Sequence, residues 1–355
     1  MRFSRVFAVV GLALGLSLQC ARATAQTARQ LPDQPSLEDP EDFVVANGLT
    51  AQVAAMLAHD DYEGIDRLAT KYRSEKTRLP GGGWQLAYLY EGLKAPDRFH
   101  PDDQIAKLNA WIAARPQSIT PRVALAGVYL KYAWAARGAG YADTVTDEGW
   151  RLFGERAAQA KRVLDDAANI TPMCPEWFAK MQTVALAQNW DKDRAEELFQ
   201  KAIRFEPDYL YFYKSYANYL LPKWDGDDGD AAAFAKRSAD AVGGAKGDYL
   251  YYEIGMVVAD AKSGANGGGL DWSRIQRGYQ AQRELYVKNM NGDTNHLAFF
   301  AWRFHDRAVA RQALARIGEK WSKTVWKTRK RFEQVRTWAM QDHDSAQAAS
   351  AEAIL

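Results

Sequence analysis

Residues 191–207 read DKDRAEELFQKAIRFEP, and the spacing of three side chains in that stretch decides the fold. Ala195, Phe199 and Ala202 stand four and three apart, so they line one face of a helix that Asp191 can cap and Pro207 must stop. Their sizes matter as much as their spacing. A small residue at 195 lets a neighbouring helix approach, a large one at 199 fills the gap beside it, and a second small one at 202 leaves room for the next unit. The same series stands 35 residues earlier as Ala160, Leu164, Ala167 and Pro172, and Ala310, Leu314 and Ile317 form a partial third copy.

Two copies in one register, near a period of about 34, resemble helical hairpin repeats of the tetratricopeptide type. The departures are also clear. The helix before Asp191 carries Ala179, Gln182, Thr183 and Leu186 where that pattern has Trp, Leu, Gly and Tyr, and the helix over 146–170 is longer than a standard unit. The fold class is therefore all-α, a tetratricopeptide-like array of irregular helical hairpins (an α-α superhelix), with an irregular helical bundle as the alternative.

Helical periodicity begins near Leu49, with Val53, Met56 and Leu57 in a first stripe and Ile65, Leu68, Ala69 and Tyr72 in a second. Pro80-Gly81-Gly82-Gly83 breaks it, and Trp84 to Leu93 forms a short helix. Asp102 or Asp103 can cap the next helix, Thr120-Pro121 opens another that Gly138 and Gly140 end, and Thr144 or Thr146 caps the helix carrying Trp150, Phe153, Ala157 and Ala160. Pro175 starts a helix that runs through Gln188, and Tyr209 to Leu220 forms the next. Further helices are expected at about 230–242, 247–261, 272–287, 294–304, 306–317 and 323–340. No strand is expected, because long β-branched alternation is absent. The helical domain spans 49–342. Residues 26–48, with Pro32, Pro35 and Pro40 and few apolar side chains, read as a disordered linker, and 343–355 as a frayed tail.

The first 25 residues read as a secretory signal peptide. Arg2 and Arg5 precede an apolar run from Val6 to Leu18, and Ala23-Thr24-Ala25 supplies the small residues of a cleavage site after Ala25. The run is shorter than the about 20 residues a membrane span needs. A lipoprotein anchor at Cys20 is disfavoured, because Gln19 stands where a small residue is wanted. The expected location is periplasmic or secreted, with no stable membrane insertion after cleavage. Loss of the leader removes Arg2, Arg5 and Arg22 and no acid, which leaves 43 basic against 44 acidic side chains. So even a balance argues against nucleic acid as partner. It also leaves Cys174 as the one cysteine, so no intrachain disulfide can form and the core must carry the fold.

Four stretches carry a family resemblance: Tyr132 to Ala142, Thr146 to Phe153, Cys174-Pro175-Glu176-Trp177, and Leu221-Pro222-Lys223-Trp224. Together they resemble a bacterial domain of unknown function, number forty thirty-four, over about residues 85–320. The resemblance implies a helical, tetratricopeptide-like fold and no known activity.

No catalytic or metal constellation stands out. His59, His100, His296, His305 and His343 lack the spacing of a zinc site, so no metal is expected. Cys174 has no histidine assignable as its base and reads as a buried, inert thiol. In the acidic run Asp225–Asp230, position five of a calcium loop is Gly229 and position twelve is Lys236, so it reads as a solvated turn. Gly264–Gly269 lacks the lysine of a phosphate loop. Lys320, Lys323, Lys327, Arg329, Lys330, Arg331 and Arg336 make the last helix basic, which reads as a solvated face. No cofactor is expected.

Two groups are candidates for ligand or partner binding. Arg137, Tyr141, Glu148 and Trp150 meet at a helix–helix corner, which is either a ligand loop or a rigid turn whose arginine bonds helix-end carbonyls. Trp177, Lys180 and Gln188, with Val184, would face the concave surface in standard hairpin geometry. The leading expectation is an exported interaction protein that binds a protein or peptide on that surface. The alternatives are an envelope enzyme, hydrolase-like, with carboxylates in the groove, or a carrier of small ligands with an aromatic groove.

Overall fold

The computed structural model describes residues 41–94, 101–138, 140, 142–260, 266–286 and 291–341. Among them are sixteen α-helices and two short 3-10 turns; the one pairing of extended backbone is an isolated bridge between Arg78 and Trp84. The fold is all-α. No helix of the described residues is long and apolar enough to cross a membrane. The leader, its cleavage site, Cys20, most of the linker and the tail lie outside the described residues.

The first helix, α1, runs Glu41–Ala58, eight residues earlier than its sequence periodicity suggests. The segment read as linker therefore ends at Pro40. Ala46 and Leu49 extend the buried stripe of Val53 and Leu57 backward by one turn, so these residues gain a packed face. Helix α2, Tyr62–Glu75, is capped by Asp61, whose carboxylate accepts from Gly64 N at 2.9 Å. Helix α3, Gln85–Gly92, packs on both. Helix α4, Pro101–Ala114, begins ahead of Asp102 and Asp103, which lie in its first turn and complement its dipole rather than cap it.

From there consecutive helices pack in pairs. Helix α5, Thr120–Arg137, lies against α6, Asp147–Ala167. The two run antiparallel. Gly149 sits so close to the Ala136 carbonyl that a Cβ would come within 2.9 Å of it, and Arg156 donates to Tyr132 O at 2.9 Å further along. Helix α7, Pro175–Ala187, packs on α8, Lys192–Phe205. Helix α9, Leu210–Tyr219, packs on α10, Asp230–Val242; and α11, Gly244–Asp260, on α12, Trp272–Tyr286. Helix α13, Asn291–Arg303, packs on α14, Arg307–Ile317. The expected helix over 323–340 is two: α15, Lys323–Trp326, and α16, Arg329–Met340. Lys327 adopts φ +64°, and the Thr328 hydroxyl then accepts from Arg331 N at 3.2 Å, which starts a new helix.

Side-chain caps fix the ends of the middle helices. Thr146 accepts from Gly149 N at 3.0 Å and Asp191 from Arg194 N at 2.9 Å. The seam then closes as residue size dictates: Ala160, Leu164, Ala167, Ala195, Phe199 and Ala202 are all buried. The larger positions continue one step further than the two copies read from sequence. Leu164, Phe199 and Phe234 follow at intervals of 35, and the Phe199 and Phe234 rings meet edge to face at 5.1 Å. Tyr216 stacks on Phe199 at 4.9 Å from the intervening α9. The first helices of the pairs also pack in series, α5 on α7, α7 on α9, α9 on α11 and α11 on α13, so side chains from alternate helices come to share one face.

Candidate functional site

The corner between α5 and α6 holds three of the four candidates placed there; the fourth, Tyr141, lies outside the described residues. The Arg137 guanidinium stands 5.4 Å from the Trp150 ring, 5.7 Å from Trp134 and 5.5 Å from Trp224. It donates to Gly138 O at 3.3 Å and Gly140 O at 3.1 Å. A cation among three indoles that also bonds helix-end carbonyls is a corner fastening. Trp224 joins it from the loop after α9, a link between residues 87 apart in sequence. Trp150 keeps 39% of its surface exposed, and Glu148 faces solvent, paired with Arg151.

The second group is divided differently from what standard hairpin geometry predicts. Val184 is fully buried. Trp177 donates its indole N–H to Leu164 O at 2.8 Å, which ties α7 to α6, and Gln188 accepts from the Trp190 indole at 3.1 Å. Lys180 does reach the shared face, where it forms an ion pair with Glu176 one turn back on α7. Glu176 is buried, and its other oxygen accepts from the Tyr209 hydroxyl. Both oxygens of that carboxylate are thus occupied.

Sequence reasoning missed the partner of Lys180. Lys214 lies 34 residues on, at the equivalent place on α9. Its ammonium pairs with Glu253 of α11 at 2.8 Å. The period of the array was the signal that could have found it. Burial works against both ammonium groups, and the carboxylate beside each outweighs it, so both lysines are held above the ordinary lysine range. Beside the pairs stands Tyr211, half-buried, which feels Tyr88 and Glu91 of α3, Glu176 and Glu253; burial pushes its phenol well above the usual range. Four helices, α3, α7, α9 and α11, thus bring two lysines, three carboxylates and two tyrosines together.

One edge of this face is already covered by a hairpin-like turn of the chain, closed by the bridge between Arg78 and Trp84. Residues 76–84 form no helix. Lys76, in the left-handed conformation at φ 52°, pairs with buried Glu206 at 2.8 Å. Arg78 and the Trp84 indole both donate to the Asp208 carbonyl, at 3.2 and 3.1 Å. Trp84 is buried edge to face against Tyr209, and the loop at Gly82 presses on the Tyr286 ring of α12. That glycine is needed twice over: φ is +92°, and a Cβ would stand 2.8 Å from the ring. Further along, the Tyr90 hydroxyl meets Cys174 Sγ at 3.3 Å, and Arg73 donates to Thr120 Oγ1 at 3.3 Å. The strap therefore meets the chain just before α9 and the end of α12, while the helices on either side of it, α2 and α3, meet the beginnings of α5 and α7.

These elements can be set beside known families. Residues 49–192 match the family model for Domain of unknown function (DUF4034). The DUF4034 match starts and stops earlier than the 85–320 stretch read by resemblance. It takes in 132–153 and 174–177 and leaves 221–224 outside. It contains α2, α3 and the strap, the Arg137 corner and the Lys180–Glu176 pair, whereas Lys214 and Glu253 lie beyond it. No curated protein and no solved structure matches the chain.

The remaining sequence candidates fall to structural roles. Cys174, within the DUF4034 match, is fully buried, and burial pushes its thiol up. In the acidic run, the Lys192 ammonium sits between Asp227 and Asp230 at 2.9 and 3.0 Å, so a side-chain cation already takes those carboxylates. No group of three metal-ligating side chains occurs among the described residues. On α16, Arg329 and Arg336 both pair with Glu319 and Glu333, and Arg331 lies over Phe299 and Trp302. Two of the seven cations from Lys320 to Arg336 are thus paired with carboxylates of the fold. His100 and His343 lie outside the described residues.

Proposed function

We propose that this chain is an exported binding protein whose face shared by α3, α7, α9 and α11 takes a segment of another polypeptide. The observation that carries the reading is the strap. Along one edge, the stacked helices already hold a non-helical turn of polypeptide, through a buried carboxylate, a main-chain carbonyl and an aromatic pocket. The rest of the same face offers the same kinds of group, with Lys214 about one-third exposed and Tyr88 and Tyr211 half-buried beside it. The sequence of residues 1–25, read as a leader, supports a location in the periplasm or outside the cell.

The carboxylates on the face support binding over hydrolysis. Each of Glu176 and Glu253 is paired with a lysine held in its charged state, an arrangement that leaves no poised proton donor. The test is site-specific photocrosslinking of the full chain in intact cells. A photoreactive residue in place of Tyr88 or Tyr211 should give a discrete protein adduct, and the same residue in place of Lys201, exposed on α8, should not. Equal labelling from all three, or none from the first two, would sink the proposal.

A further inference from the structure

The even charge balance of the chain conceals a division. Residues 26–260 carry 27 Lys and Arg against 35 Asp and Glu, whereas residues 261–341 carry 16 against six. The excess gathers between Glu319 and Arg336, where seven cations stand with two carboxylates. The fold draws this stretch into a knob. Asn295 of α13 holds it from within, its Oδ1 accepting from Ser322 N at 3.0 Å and from the Trp326 indole at 2.7 Å. Val325, Trp326 and Phe332 are buried, and the Trp326 ring meets Phe299 and Phe332 edge to face at 5.8 and 5.5 Å. Glu319 pairs with both Arg329 and Arg336, which brings the two ends of the stretch side by side. With its apolar side chains turned inward, the knob leaves Lys320, Lys323, Lys327, Arg329 and Lys330 exposed. Its two glutamates are shared between Arg329 and Arg336, so the knob keeps an excess of positive charge.

We infer that this knob docks on an anionic lipid surface, its lysines against headgroup phosphates and Trp321 at the level of the headgroups. The inference goes beyond the polypeptide-binding reading and does not depend on it. Charge alone would suit any polyanion, and two neighbours of the lysines favour lipid. Trp321, between Lys320 and Lys323, is half-buried and stacks on Phe332 at 6.4 Å. An indole set among lysines is the pairing found where a protein meets the membrane–water interface, the ring in the headgroup layer and the ammonium groups above it. Thr324, Val325 and Lys327 also form one wall of a hollow of about 90 Å³ whose other walls include Met256, Phe299 and Phe300. An apolar recess beside exposed ammonium groups matches an amphiphile, which carries phosphate and hydrocarbon together, better than a chain that is acidic throughout. Four of the five exposed cations are lysines, point charges that attract a headgroup phosphate without the fixed fork geometry an arginine imposes.

The experiment is sedimentation of the full mature chain with vesicles of phosphatidylglycerol and phosphatidylethanolamine at about 3:7, and with vesicles of phosphatidylcholine alone. The chain should bind the first and not the second. Binding should weaken more than about tenfold between about 0.05 and 0.5 M NaCl, as exposed charge attraction is screened. Lys323→Gln/Lys330→Gln should weaken it by about 25-fold, about fivefold for each charge, and Lys201→Gln/Lys236→Gln, on α8 and α10, by less than about twofold. All four lysines are exposed, so neither double variant opens the core. Brominated phosphatidylglycerol should quench part of the tryptophan fluorescence, and Trp321→Phe should lose most of that quenching. Equal binding to both kinds of vesicle, no binding to either, unchanged binding by Lys323→Gln/Lys330→Gln, or unchanged quenching without Trp321 overturns the inference. Duplex DNA and polyglutamate are run beside the vesicles, and binding to either as tight as to phosphatidylglycerol overturns it in favour of a general polyanion site. Release from the vesicles by inorganic phosphate, beyond that by chloride at the same ionic strength, overturns it in favour of a free-phosphate site. None of these outcomes touches the polypeptide face, which the photocrosslinks test separately.

Discussion

Glu176 gives the sharpest test of how the shared face is held together. Its side chain is 4% exposed, and it accepts from two donors, Lys180, itself 15% exposed, and the buried hydroxyl of Tyr209. In Glu176→Leu an ammonium and a phenol lose their acceptor with little water in reach. Breaking a buried pair from one side costs about 3–5 kcal/mol, and a stranded hydroxyl adds about 1–3 kcal/mol that overlaps with it. The expected loss is about 4 kcal/mol. Lys180→Met alone leaves the carboxylate with the Tyr209 hydroxyl and should cost about 2 kcal/mol less than that. Replacing both partners by Leu and Met removes the desolvated charges together and leaves only the Tyr209 hydroxyl stranded, so the double variant should lose about 1–3 kcal/mol. The cycle then yields a coupling energy of several kcal/mol between residues one turn apart. Urea unfolding followed by both tryptophan fluorescence and circular dichroism measures it, with coincident transitions as the check on two-state behaviour. Single and double costs that simply add, or a Glu176→Leu loss below about 1 kcal/mol, would refute the idea that this pair is buried and mutually dependent.

The same groups set an alkaline limit. Lys180 and Lys214 are raised in the fold, so the native chain holds their protons more tightly than the unfolded one; their contribution is complete below the unfolded lysine pKa of about 10.4 and is lost as pH rises through the folded values. Urea midpoints should therefore fall as pH rises above about 10.4, and fall less in the Glu176→Leu/Lys180→Met variant. Gly82→Ala forces a side chain into the left-handed region against Tyr286 and should cost about 1–3 kcal/mol, with faster proteolysis within 76–84. Phe234→Ala empties a site in contact with Phe199 and Tyr216 and should cost about 3–5 kcal/mol, read by thermal and urea unfolding.

Much of the backbone was legible in the sequence because its signals are local. Asp191 and Thr146 cap where a short polar side chain precedes an apolar period, and Ala160, Ala167, Ala195 and Ala202 are buried where their size and spacing put them. Phe234 and Lys214 went unread, although each continues the period by one step. The break at Lys327 was less legible, because Thr328 caps a helix only once a non-glycine residue accepts a positive φ. The strap could not be read at all. Lys76 meets Glu206, and Arg78 and Trp84 meet Asp208, over separations of 124–130 residues, and no spacing rule reaches that far. The tethers of Trp177 and Gln188 were out of reach for a related reason. An indole N–H or an amide near a helix end finds an acceptor in the adjoining turn or helix before it finds a guest.

The strap also bears on how such a chain can evolve and deform. An open-ended array of stacked units gains or loses members by duplication and deletion, and it stretches like a spring, because each unit knows only its neighbours. Here residues 76–84 are laced to Glu206, Asp208 and Tyr286 at fixed places along the stack. An added or missing hairpin between 120 and 286 would move those anchor points out of reach. The number of units between 120 and 286 is thereby fixed, and Asp208 and Tyr286 cannot be drawn away from the N-terminal helices without first unlacing residues 76–84.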